Sequence, residues 1–89
     1  MGLRQQFGFK YSAASEVQEF LRTFSHTVIV EDRDDFFVFT QKDGPRFSLD
    51  CGIVPTGLLS ERSGEYFEFL GQFVEGLTGR FGPVEMEDA

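Results

Sequence analysis

Eighty-nine residues, 40% of them hydrophobic, make one domain with one core, able to fold alone but with little stability to spare. Fifteen acids against eight bases give a net charge of −7, which speaks against nucleic acid and anionic membranes as partners, because both need clustered Lys and Arg. A single cysteine excludes an intrachain disulfide and fits a reducing cytoplasm, and no apolar run reaches the ~18–20 residues that span a bilayer.

The start, "MGLRQQ", has neither the apolar core of a signal peptide nor the Ser or Thr of a myristoylation signal. "QFGFKYS" then alternates Phe7, Phe9 and Tyr11 with Gly8, Lys10 and Ser12, the pattern of a half-buried strand. Gly8 bares the other face and implies a bulge or a close backbone neighbour. In "SEVQEFLRTF", Val17, Phe20, Leu21 and Phe24 form one helical stripe. Ser15 and Gln18 match a capping box, with Ser12 as an alternative start, and Glu16 and Glu19 suit the positive end of the helix dipole.

"TVIVE", "FFVFTQ" and "RFSLDCGIV" read as strands. The connections "DRDD" and "KDG" are too short for crossover helices, so both predict antiparallel hairpins. Lys42, Asp43 and Gly44 suit a bulged three-residue loop with Gly44 left-handed, and Pro45 opens the next strand. "GEYFEFLGQFVEGLTGRFG" is a second helix. Its Tyr66, Phe67, Phe69, Leu70, Phe73, Val74 and Leu77 cover an arc of about 160°. Gly71 and Gly76 lie at the shoulders of that arc, where close packing against a neighbour is expected. Gly79 or Gly82 ends the helix, with Pro83 beyond. "VEME" is a last short strand with Val84 and Met86 inward, and residues 85–89 form an acidic tail expected to fray.

The order β-α-β-β-β-α-β predicts an α+β fold, a two-layer sandwich over residues 1–89. It has a mainly antiparallel sheet of about five strands with both helices on one face. The architecture is similar to ferredoxin-like split βαβ folds with an added strand, an analogy that carries no function. With four- and three-residue loops, Val30 faces Phe37, Val28 faces Phe39, Ile29 faces Val38 and Glu31 faces Phe36. Phe39 then lies near Phe47, and Phe37 near Leu49. The core face so formed is extended by Cys51, Ile53, Phe7 and Phe9. The opposite face carries Ile29, Phe36 and Val38, ringed by Thr27, Glu31, Thr40, Ser48 and Asp50, and no third helix exists to cover it.

Chemistry-bearing motifs are few. "EDRDD" holds Glu31, Asp32, Asp34 and Asp35 but lacks the glycine and closing glutamate of a calcium loop, so it reads as a solvated hairpin tip. Cys51 is in phase with the core, where a thiol is inert, and His26 sits where histidines cap helix ends. No glycine-rich phosphate loop is present, and Arg46, Lys10 and Arg4 are scattered. No catalytic residue, cofactor or metal is assigned. The expected function is a non-enzymatic acidic interaction domain, acting as a homodimer or by binding a protein partner, a basic one included. Ile29, Phe36 and Val38 form its centre, and Glu31, Asp32, Asp34 and Asp35 its rim. Small acidic α+β proteins include inhibitors and immunity-type proteins that neutralise basic partners, an analogy of class. Two alternatives stay open. A small-ligand sensor needs a cavity lined by Tyr11, Tyr66 and Cys51. A small enzyme needs a perturbed carboxylate such as Asp50 beside Arg46.

Overall fold

Large apolar residues on both sides of "FFVF" force a choice of which side the helices cover, and the choice falls on Phe37 and Phe39, both fully buried. The computed structural model describes residues 3–41 and 46–88. The elements are β1 (Leu3–Gly8), α1 (Ala14–Arg22), a 3-10 turn (Thr23–His26), β2 (Ile29–Asp32), β3 (Phe36–Thr40), β4 (Phe47–Val54), β5 (Gly57–Gly64), α2 (Phe67–Phe81) and β6 (Glu85–Asp88). The strands form one antiparallel sheet in the order β2-β3-β4-β5-β1-β6, with both helices packed on one side, an α+β arrangement. Helix α2 carries the chain across β1, from β5 on one flank to β6 on the other.

The sheet therefore has six strands where the sequence suggests about five. The added one is β5, which lies between β4 and β1. Its inward residues are Leu58, Ser60 and Arg62, so only one of the three gives the apolar signal of a buried strand. Residues 85–88, expected both as part of a strand and as a frayed tail, pair with β1 as the far border of the sheet. Met86 shares the face of Phe7 but is largely exposed there, while Val84 packs against the core.

Both hairpins pair two residues away from the expected register. Val30 lies opposite Phe39, Glu31 opposite Val38, Phe39 opposite Leu49 and Phe37 opposite Cys51. A shift of two leaves every side chain on its predicted face. At the first hairpin the cause is a tighter turn. Asp34 takes φ 66°, the Asp35 amide donates to the Arg33 carbonyl, and the Arg33 amide to the Phe36 carbonyl. The Asp32 carboxylate accepts the Asp34 amide at 2.9 Å and holds that bend. The Lys42–Gly44 loop and Pro45 lie outside the described residues.

Helix α1 starts at N-cap Ala13 instead of Ser15. The Glu16 carboxylate accepts the amides of Ser12 and Ala13, each at 3.0 Å, so a single charged side chain does the capping. Gln18 turns away and donates to the Asp34 carbonyl at 2.9 Å. Val17, Phe20 and Leu21 are buried as the stripe predicts, and Phe24 joins their ring cluster from the 3-10 turn. In α2, Phe69, Phe73 and Leu77 are buried, whereas Phe67 points outward, 75% exposed. The helix ends at Gly82 with φ 83°, and Gly79 lies in its last turn.

The two shoulder glycines differ. At Gly76 an added β-carbon would stand 2.9 Å from the Phe20 ring, the expected close helix contact. At Gly71 it would meet nothing within 4 Å, so that glycine serves no packing. Gly71→Ala is therefore expected to stabilise the fold by about 0.8–1 kcal/mol. That is a rise in melting temperature of ~4–8 °C for a domain this size. Gly76→Ala should lower it, because Phe20 is itself wedged among rings. Thermal unfolding of both variants checks the opposite signs.

Candidate functional site

Strand parity sorts the side chains that point away from the helices into cross-strand rows. Phe36, Gly52, Leu59 and Gln6 line up in one row, and Glu31, Val38, Asp50, Glu61 and Arg4 in the next. Ile29 follows on the border strand β2, opposite Thr40. Exposure reaches 50% at Ile29 and 37% at both Phe36 and Leu59, and Val38 is half-buried. The structure thus places Ile29, Phe36, Val38 and Glu31 on the uncovered face. It adds Leu59, which sequence reasoning missed together with strand β5. The Phe36 ring leans over Gly52, its Cδ1 3.7 Å from where a β-carbon would be.

Asp50 sits in the middle of this face. Its carboxylate accepts the Glu61 amide at 3.1 Å. Burial holds the Asp50 carboxyl above the usual carboxylate range, helped by the charge of Glu61 and opposed by the Glu61 amide and by Arg4. The cation in this row is Arg4, whose Nη2 lies 3.4 Å from Glu61 Oε2. It takes the place the enzyme alternative gave to Arg46. A raised carboxyl disfavours the ionised folded state. Stability is thus lost as pH climbs above the ordinary carboxylate value, the reverse of an ion-paired acid. Asp50→Asn keeps an acceptor for the Glu61 amide and removes the charge. It should raise the unfolding midpoint at pH 7, by under about 1 kcal/mol, and the gain should vanish near pH 4 in urea titrations.

The tip acids have other partners. Asp32 pairs with Arg22 Nε at 2.5 Å and Asp34 with Arg22 Nη2 at 3.1 Å, while Glu31 pairs with Arg33 at 2.8 Å. Arg22 holds the Asp32 carboxyl below its ordinary range, with the Asp34 amide adding to the effect. Asp32 lies opposite Phe37, on the helix side. With Gln18 on the Asp34 carbonyl, the tip is clasped to α1, and Asp32 and Asp34 do not rim the open face. Asp35 is exposed, and its carbonyl accepts the Ile53 amide. Among the described residues no cluster of three or more His, Cys, Asp or Glu could hold a metal ion.

Elsewhere, Phe9, Tyr11, Thr56 and Phe81 line a cleft of about 930 Å³ at one end of the sheet, with Lys10, Glu85 and Glu87 at hand. Tyr11 donates to the Val54 carbonyl at 2.6 Å. The other two residues of the ligand-sensor alternative are not part of that cleft. Tyr66 lies over the Arg62 guanidinium at 4.9 Å. Cys51 is buried in the core, which pushes its thiol far up. His26 is exposed on the 3-10 turn, so it and Cys51 make no catalytic pair. Arg62 is only 5% exposed, with Nε and Nη1 lacking hydrogen-bond partners. Among the described residues no helix is long and apolar enough to cross a membrane. No family model matches the chain, and neither does any curated protein or solved structure.

Proposed function

We propose that the protein is a non-enzymatic interaction domain that docks another protein on the sheet face opposite its helices. The observation that carries this is the outward, solvent-accessible grouping of Phe36, Val38 and Leu59 on three neighbouring strands, with Ile29 on the border strand. An antiparallel sheet with one face in water ordinarily carries polar residues there. Apolar side chains grouped on this face, with Asp50 among them and Glu31 and Glu61 to either side, have the make-up of a contact surface. The buried lone thiol and the acidic charge balance suit a cytoplasmic protein with a basic partner, in the manner of small acidic inhibitors. Self-association through the same patch is the competing occupant.

Photo-crosslinking tests the surface. A benzoylphenylalanine at position 36, in cells that carry the gene, should give an adduct that Leu59→Asp abolishes. The same probe at the exposed Glu75 on α2 should give none. Equal labelling from both positions, or no adduct from position 36, would overturn the docking surface. The aromatic cleft beside Tyr11 favours a second reading, a small-ligand site. A ligand there would perturb Phe9, Tyr11 and Phe81 and leave Phe36 unchanged.

A further inference from the structure

We infer that the chain docked on this face is cationic and sets an arginine against the Phe36 ring where it leans over Gly52, toward the carboxylates of Asp50 and Glu61; this rests on the docking surface proposed above. Gly52 has no side chain, so the Phe36 ring leans across it toward Leu59 and leaves the ring's outer face exposed. Two residues back along β4, Asp50 lies beside Glu61 on the same face. Asp50 accepts one hydrogen bond, from the Glu61 amide, which leaves carboxylate lone pairs free. Arg4 contacts one oxygen of Glu61 at 3.4 Å and is itself largely exposed. Two carboxylates thus share one loosely held cation next to an aromatic ring.

A guanidinium fits this arrangement in shape and charge. It is planar, stacks on an aromatic face, and bonds carboxylates through two parallel N–H groups. A lysine ammonium offers the charge without the plane. The same charges argue against a second copy. A two-fold contact sets each patch against itself, which brings Asp50 and Glu61 of one chain toward their counterparts. The net charge of −7 adds to that repulsion.

The probe is N-acetyl-arginine methylamide, titrated into 15N-labelled protein beside the neutral citrulline analogue and the lysine analogue. The arginine compound should move the amide signals of Phe36, Gly52, Leu59 and Glu61. Its apparent affinity should exceed that of citrulline by at least about tenfold, the low end of the scale of one charge-assisted hydrogen bond. Lysine should fall between them. Asp50→Asn should erase the preference while keeping a dispersed, folded spectrum. Citrulline matching arginine, or an arginine response unaffected by Asp50→Asn, overturns the cationic occupant. An adduct from position 36 at twice the mass of the chain also overturns it, because the occupant is then a second copy. Each of these results leaves the docking surface standing, which only the crosslinking controls can remove.

Discussion

Phe73→Ala should cost about 3–5 kcal/mol, the range for removing a fully buried phenylalanine. Phe73 is inaccessible to solvent, and the rings of Phe7, Phe20, Phe24, Phe39 and Phe69 all centre within 6.0 Å of its own. Among the described residues it alone meets rings from α1, the 3-10 turn, β1, β3 and its own helix. Truncation leaves a cavity that these neighbours fill poorly, because aromatic rings reorient as rigid plates. A domain of this size has roughly 4–13 kcal/mol of total stability, so the variant is expected to lose a large share of it and to melt at least ~12 °C lower. Phe67→Ala, six positions earlier on the same helix, should change stability by less than about 0.5 kcal/mol, because that ring points into solvent. Urea unfolding of the two variants gives the comparison, and a Phe73→Ala loss under about 1 kcal/mol would show that the ring cluster is not the centre of the core.

Gly57→Ala should be comparably damaging for a different reason. Gly57 has φ 142°, a conformation that L side chains rarely adopt, and a β-carbon there would overlap the Phe7 carbonyl oxygen. The residue follows the Pro55-Thr56 turn and pairs with both Val54 of β4 and Gly8 of β1. Relief of the clash must therefore disturb the turn or the β5–β1 ladder, and the ladder is backbone, which cannot swing aside as a side chain can. A loss of about 3 kcal/mol or more is expected, with the amides of β1 and β5 exchanging fastest in hydrogen-exchange experiments. Wild-type stability in Gly57→Ala would mean that the close approach of these two strands is not maintained in solution.

Particular residues explain what the sequence could and could not disclose. The core face was legible because Phe37, Phe39, Phe47, Leu49 and Cys51 alternate with period two, and parity survives a register error of two. Helix α2 was legible from Phe69, Phe73 and Leu77, spaced four apart. Strand β5 was not, because Ser60 and Arg62 occupy inward positions and erase the contrast that alternation needs. Losing β5 also hid Leu59 from the candidate site and Glu61 from the side of Asp50. The fate of Asp32 and Asp34 depended on Arg22, ten and twelve positions earlier, which only the packing of α1 brings near. Cap choice failed more locally. Ser15 and Glu16 are both good candidates by type, and the carboxylate prevailed because Gln18 is occupied with the hairpin tip.

The position of β6 bears on how the chain matures at the ribosome. Strand β1 precedes the other described elements in the chain, yet its outer rim, Gln5–Gly8, is paired by β6, which follows them all. Until residue 88 has emerged, that rim offers free amides and carbonyls to any neighbouring nascent chain. Once Glu85, Glu87 and Asp88 arrive, the exposed border becomes a row of like charges, and sheet-to-sheet growth between finished molecules meets repulsion at every approach.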